Sequence, residues 1–190
     1  VSLSYNESDD YVLKEVNFTA RSKEKIGVIG RTGAGKSSII STLFRLYETE
    51  GSITIDGINT KSLALNYLRR HISIIPQDPV LFRGTIRDNI DPERLYTDSQ
   101  IWKAIKAANL TNCVPSLEYE VSKNGSNFSV GQRQLICLAR AVVRDNKIVI
   151  LDEVTANVDD ETDALINETI KRQFEHCTIV VVTHKLHSVI

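Results

Sequence analysis

The chain has no methionine, not even at position 1, and only three cysteines. Cys113, Cys137 and Cys177 are odd in number and lack metal-ligand spacing. They argue against a disulfide framework and fit a reducing compartment, the cytosol. No apolar run approaches the roughly 18 residues that a membrane-spanning helix requires, and no signal peptide opens the sequence. Neither sign of charge is in excess, since 23 lysines and arginines face 24 aspartates and glutamates. There is thus no basic surplus to hold nucleic acid and no acidic tail. Internal repeats and low-complexity segments are missing as well. What remains is the ordinary composition of a globular domain, whose 190 residues suffice for a sizeable core. With no methionine at its start and an end shortly after an apparent strand, the sequence reads as a piece of a longer chain, any membrane part lying outside it.

Against these absences stands one stretch rich in glycine, Gly30-Arg31-Thr32-Gly33-Ala34-Gly35-Lys36-Ser37. It follows the apolar run Ile26-Gly27-Val28-Ile29 and precedes Ser38-Ile39-Ile40-Ser41-Thr42-Leu43-Phe44, which has helical spacing. A strand, a loop and a helix in that order, with glycine, four residues, then Gly-Lys-Ser, make a cradle for nucleotide phosphates. Gly33 and Gly35 free the backbone to turn its N–H groups toward one point. The N-terminus of the following helix adds unpaired N–H groups and partial positive charge. Lys36 can reach the β- and γ-phosphates and the Ser37 hydroxyl can ligate Mg²⁺. The bland alternative is a glycine-rich turn with a solvated lysine.

The strand pattern is of two kinds. Val1-Ser2-Leu3-Ser4-Tyr5, Val16-Asn17-Phe18 and Ile53-Thr54-Ile55 alternate apolar and polar residues, which predicts half-exposed antiparallel strands near the N-terminus. Ile72-Ser73-Ile74-Ile75, Ile148-Val149-Ile150-Leu151 and Ile179-Val180-Val181-Val182 are near-continuous β-branched runs like residues 26–29, the pattern of parallel strands covered on both faces. Between Gln77 and Lys147 strand signals almost vanish and helical ones replace them. There Thr97 with Gln100 makes a capping box ahead of Ile101, Ala104, Ile105 and Ala108, and Ser129 with Gln132 makes a second ahead of Leu135, Leu138, Ala139 and Val142. The expectation is an α/β fold: a mainly parallel sheet core over 1–76 and 147–190, with an antiparallel β-subdomain at the N-terminus and a helical subdomain inserted over 77–146.

Polar groups gather at the ends of the buried runs. Residues 148–151 lead into Asp152 and Glu153, and ligands bind at the C-terminal edge of open α/β sheets. Asp152 suits Mg²⁺ and Glu153 an attacking water, unless the strand merely ends in solvated acids. His184 ends the last run, where a neutral imidazole can bond a γ-phosphate or that water, or be an ordinary surface residue. Gln77 is a third strand-end group, able to touch Mg²⁺ or water. Ser129-Val130-Gly131-Gln132 offers another helix N-terminus and so a second anion site, or simply a well-capped helix.

Taken in order, these residues resemble the nucleotide-binding domain of ATP-binding-cassette (ABC) transporters, a P-loop NTPase fold, over essentially the whole chain. Gly30 to Ser37, with Ser38 after it, looks like the Walker A loop and Gln77 the Q-loop glutamine. Residues 129–132 look like the signature motif, residues 148–152 the Walker B strand, Glu153 the catalytic glutamate, Asp159 the D-loop aspartate and His184 the switch histidine. Tyr5 falls where the family places an aromatic residue that stacks on adenine, although an edge-strand tyrosine reads the same way. The wording of residues 30–38, 79–87 and 127–134 is similar to the second nucleotide-binding domain of multidrug-resistance-associated (subfamily C) exporters.

The resemblance implies an ATPase that binds ATP and Mg²⁺, with Lys36, Glu153 and His184 catalytic. Tyr5, Gly30, Arg31, Thr32, Gly33, Ala34, Gly35, Lys36, Ser37, Ser38, Gln77 and Asp152 would hold the nucleotide, with Ser37, Gln77 and Asp152 on the metal. Ser129, Val130, Gly131, Gln132 and Asp159 would meet the nucleotide of a second, head-to-tail domain. It further implies transmembrane domains as partners, with Val80-Leu81-Phe82 receiving their loops, and a place on the cytoplasmic face of a membrane. Export of organic anions, conjugates or drugs would be the work done. A soluble cassette ATPase and a nucleotide-gated channel or regulator share the same motifs and stay open; a plain P-loop kinase would lack the signature helix. Several residues depart from the family pattern. Phe128 and Val130 replace the signature's leucine and first glycine, Ala156-Asn157-Val158-Asp159 stands for Ser-Ala-Leu-Asp, and Val154 follows the glutamate.

Overall fold

Near-continuous β-branched runs become one parallel sheet in the computed structural model, which describes residues 1–6, 10–31 and 33–184. In chain order the elements are β1 (Lys25–Ile29), α1 (Lys36–Leu43), β2 (Thr54–Ile55), β3 (Ile58–Asn59), α2 (Leu65–Arg70) and β4 (Ile72–Ile75). Then come β5 (Gly84–Thr85), α3 (Ile86–Ile90), α4 (Asp98–Ala107), β6 (Glu120–Val121) and α5 (Val130–Arg144). β7 (Ile148–Asp152), α6 (Asp160–Gln173) and β8 (Thr178–Thr183) complete the order. The sheet runs β1-β8-β7-β4 with every pair parallel. All four strands therefore deliver their C-terminal ends to one edge.

Alternation along the strands divides the core into two layers, because side chains two residues apart share a face. Ile150, Val180 and Val182 pack with Ile40 and Phe44 from the α1 side and Leu68 from α2. Val149, Leu151 and Ile179 join the other cluster, which continues without interruption into α3, α4, α5 and α6. β1 differs from expectation. It pairs with β8 alone among the described residues and is only partly buried, so its apolar run is half covered rather than sandwiched.

The N-terminal antiparallel expectation holds in a weaker form. Leu3 bridges Leu13 and Ser2 bridges Glu50, yet no continuous strand forms over residues 1–5 or 16–18. The pairing continues as Val1 and Val16 exchange backbone hydrogen bonds of 2.7 and 2.9 Å. Going from Leu3–Leu13 to Val1–Val16 uses two residues on one side and three on the other. That is a β-bulge, and Glu15 takes the positive φ of 49° that accommodates the extra residue. Residues 54–59 do form the hairpin β2–β3, turned through Asp56 and Gly57, both at positive φ as a two-residue I′ loop requires.

The segment between β4 and β7 is mainly helical, as its sequence predicts, and the Thr97–Gln100 and Ser129–Gln132 capping boxes are both formed. It also holds a short hairpin, β5 with β6, that the sequence pattern did not reveal. Two-residue strands carry no readable period. The helices α2 and α6 are likewise absent from the sequence expectation. α6 is set by an Asp159 cap, acids in its first turn and Lys171 and Arg172 in its last, which together oppose the helix dipole.

α5 and α6 meet through a residue with no side chain. A β-carbon on Gly131 would lie 2.7 Å from Thr162 Cγ2, nearer than such atoms approach. Gly131→Ala is expected to destabilise the fold by about 1–3 kcal/mol through overpacking. Thr162→Ser, which deletes the clashing methyl and keeps the hydroxyl bonded to Asp159, should restore most of that loss. Urea unfolding of the single and double variants checks it, and equal losses in both would place the strain elsewhere.

Candidate nucleotide-binding site

The loop after β1 is shaped by backbone before any side chain acts. Gly33 and Gly35 have φ of 81° and 84°, the left-handed region that glycine tolerates. A β-carbon on Gly35 would also come within 3.1 Å of Leu13 and 3.2 Å of the Val12 carbonyl. Gly35 is the N-cap of α1, and it brings no side-chain hydrogen bond to the helix N-terminus. Among the described helices of eight or more residues, α4, α5 and α6 are capped by Thr97, Ser129 and Asp159, whereas α1 is not. No acidic residue stands in the first turn of α1 either. Its first amides are left for an anion.

Lys36 extends from that helix back across the loop. It is 8% exposed, and its Nζ donates to the carbonyls of Gly30 and Arg31 at 2.8 and 3.2 Å. The same ammonium lies 3.6 Å from Glu153 Oε1, while Glu153 Oε2 lies 3.2 Å from His184 Nδ1. Glu153 thus bridges the lysine and the histidine. The ladder explains the convergence: Ile29 pairs with Thr183 and Asp152 with Val182, so Gly30, His184 and Glu153 each come next after a paired residue on adjacent strands. Glu153 itself has a φ of 44°, and its N–H still bonds the Val182 carbonyl at 2.9 Å. A non-glycine residue in that region at a strand end is a strained position of the kind found at functional sites, and it was not legible in the sequence.

Asp152 sits beside this group. Burial, and then the neighbouring Glu153 charge, push its carboxyl above the ordinary 3.8, with Lys36 partly opposing them. Among the described residues no three His, Cys, Asp or Glu side chains converge on a point. A set of Ser37 hydroxyl, Gln77 amide and Asp152 carboxylate does not need such a cluster, since Mg²⁺ bound alongside phosphates takes few carboxylates. The donor chemistry fits. Ser37 is exposed at the start of α1, and Gln77 is exposed just beyond β4. In the strand order β4 stands next to β7, the strand that ends in Asp152 and leads to Glu153, so Gln77 shares the edge at its far side from β1.

Other expected residues have partners of their own. Ser38 is buried and its hydroxyl shares a 2.8 Å hydrogen bond with Tyr5, so this side chain faces the tyrosine. The Ser129 hydroxyl accepts from the Gln132 amide, and Gln132 Oε1 accepts from Ser129 N–H, which spends both in the capping box. Asp159 accepts from the Thr162 backbone and hydroxyl, and these bonds hold its carboxyl below the ordinary range. Val130 is exposed beside them. The two anion sites expected from helix N-termini are therefore unlike, because α5 already carries its cap. Arg31, Gly33 and Ala34 lie exposed on the loop, and Thr32 lies outside the described residues. The departures also find places: Val154 is buried in the larger core cluster, and Phe128 packs edge-on to Tyr119 at 5.9 Å.

Sequence reasoning missed the residues that brace the site. Gln134, 1% exposed on α5, donates to the Pro76 carbonyl next to Gln77 at 2.9 Å. Arg140, two turns on, donates to the Asn89 carbonyl, and Asn89 holds Phe82 from both its N–H and its carbonyl. Leu81 is buried while Val80 and Phe82 project outward. Only a buried polar residue among the apolar positions of α5 hinted at this, and burial is not readable from one sequence.

Residues 13–156 match the family described as ABC transporter. The chain is 50% identical over its whole length to human ATP-binding cassette sub-family C member 4, of which it covers 15%. It is 52% identical over 98% of its length to ABC transporter C family member 3 of Dictyostelium discoideum and 48% over 97% to rat ATP-binding cassette sub-family C member 2, covering 14% and 12% of them. The chain thus spans about one-seventh of the length of the curated relatives it matches.

Asp152 yields a pH prediction. A carboxyl whose pKa is raised by folding binds its proton more tightly in the folded state, so its contribution to stability falls as pH rises from 3.8 through the folded value. Asp152→Asn should therefore raise the melting temperature at pH 7 by roughly 1–4 °C. The gap should close below pH 3.8, measured by thermal unfolding of both proteins across pH. A gap independent of pH would mean that the carboxylate charge is not its cause. On the phosphate loop, the strand-edge carboxylates and the match over residues 13–156, the chain belongs to the ABC transporter family of ATPases, as a nucleotide-binding domain of the subfamily C kind.

Proposed function

We propose that this domain binds MgATP at the sheet edge and hydrolyses it to drive export across a membrane, in a head-to-tail pair with a second nucleotide-binding domain. The observation that carries the reading is the contact chain from Lys36 through Glu153 to His184 beside an uncapped helix N-terminus. Phosphate oxygens take the place of the Gly30 and Arg31 carbonyls on Lys36 Nζ, and the first amides of α1 hold the same phosphates. Ser37, Asp152 and Gln77 would hold Mg²⁺, which would supply charge neutralisation at the transferred phosphoryl group. Glu153 accepts the proton of the attacking water at Oε2, and His184 Nδ1, 3.2 Å away, orients that carboxylate.

Two features favour a paired domain. α5 rests on β4 at the edge opposite β1, so its exposed N-terminal residues Ser129 and Val130 point to a nucleotide other than the one on this chain's own loop. Thr162, bonded to Asp159, lies against Gly131, which joins the loop after Glu153 to the signature helix. A membrane partner is supported by the likeness to transporters and by Val80 and Phe82, apolar side chains presented on a loop braced by Asn89 and Arg140. None of the described helices is long and apolar enough to cross a membrane, so the spanning part of such a transporter would be supplied by other segments or chains. Conjugates, organic anions and drugs are the proposed cargo, on the strength of the likeness to subfamily C proteins, and the domain would then lie on the cytoplasmic face.

Glu153→Gln removes the proton acceptor and keeps the shape of the side chain. ATP hydrolysis should fall by about 10²–10⁴-fold while ATP binding persists. Steady-state phosphate release and equilibrium nucleotide binding measure the two quantities, and unchanged turnover would take Glu153 out of that role.

A further inference from the structure

Tyr5 does not stand alone on the surface. Its ring meets Tyr47 edge to face, with centroids 4.8 Å apart and planes at 78°, and its hydroxyl shares a 2.8 Å hydrogen bond with Ser38 on α1. Tyr5 and Tyr47 remain 41% and 47% exposed. A T-shaped contact occupies one side of a ring at most, so Tyr5 is fixed at two points and open to solvent elsewhere.

Tyr47 is itself a built feature. α1 ends when Arg45 adopts a φ of 48°, and the N–H groups of Phe44, Arg45 and Leu46 bond back to Ile40, Thr42 and Ser41. Arg69 then donates to the carbonyls of Phe44 and Arg45, while Arg45 donates to those of Thr60 and Leu63. Ser2 and Glu50 exchange backbone hydrogen bonds on the other side, which draws the segment carrying Tyr5 against the one that carries Tyr47. Two arginines and a backbone bridge thus hold an exposed aromatic pair beside the helix whose N-terminus forms the phosphate cradle.

We propose that Tyr47 and Ser38 are positioning residues that set the plane of Tyr5 as a shelf for the adenine base, so that the base is recognised by a ring fixed before binding. The inference rests on the reading of Tyr5 as the base-stacking residue. Aromatic stacking is sensitive to ring orientation, and a ring already ordered loses less freedom when the ligand arrives. Tyr47 then needs no contact with the nucleotide.

The test measures equilibrium binding of MgATP and, as a probe with no base, magnesium tripolyphosphate to the full chain. Tyr47→Ala should weaken ATP binding by about 3–10-fold and leave tripolyphosphate within about twofold, the scale of one lost aromatic pair. Tyr47→Phe keeps the edge contact and should bind both as the parent does. Tyr5→Phe removes the hydroxyl and should weaken ATP binding in the parent, yet add nothing in a Ser38→Ala background, because the pair acts as one tether. Unchanged ATP affinity in Tyr47→Ala, or an equal loss for both ligands, overturns the proposal. Tyr5→Ala separates the two levels. If it weakens ATP binding while Tyr47→Ala does not, the positioning role fails alone; if it too leaves ATP binding unchanged, the base-stacking reading of Tyr5 fails with it.

Discussion

The parallel register of β1, β8 and β7 is the constraint on which the site depends. Five residue pairs on each side of β8 fix how far the three strands extend, and their ends then leave Gly30 level with His184 and Glu153 one residue short of them. A slip of one residue would turn every side chain of a strand to the opposite face, exchanging the two core layers along with the site. The apolar alternation of Val180 and Val182 against Ile179 prevents that slip, because each set is committed to a different buried cluster. Packing on both sides of the sheet thereby positions charges at its edge.

Lys36 shows how the arrangement can be both stable and available. Its ammonium is nearly buried, a position that costs free energy unless it is paired. Two loop carbonyls and Glu153 supply partners, and each is of a kind that phosphate oxygens can replace. Asp152 takes the opposite course: burial and the adjacent Glu153 make its carboxylate unfavourable in the protein by itself. A cation at that position would relieve the cost, so the same residues that reduce stability favour a ligand that brings positive charge.

Much of this was legible in the sequence, for particular reasons. The phosphate loop, the strand-end acids and the two capping boxes are local patterns whose meaning is set within a few residues. The burial of β4, β7 and β8 could be read from their β-branched runs. What escaped were features decided at a distance. β1 reads like an interior strand but pairs on one side only among the described residues. Residues 16–18 alternate like a strand but follow a bulge at Glu15, and β5 and β6 are too short to carry a period. Gln134, Asn89 and Arg140 are braces whose partners lie 58, 7 and 51 residues away.

The central claim is that Lys36, held now by the loop and Glu153, is the group that meets the nucleotide phosphates at this edge. Calorimetric titration of MgATP into the parent protein and into Lys36→Met addresses it most directly. The account predicts a loss of at least about tenfold in affinity, the scale of one charge-assisted contact to phosphate. Equal affinity in the two proteins would contradict it and place the phosphates elsewhere.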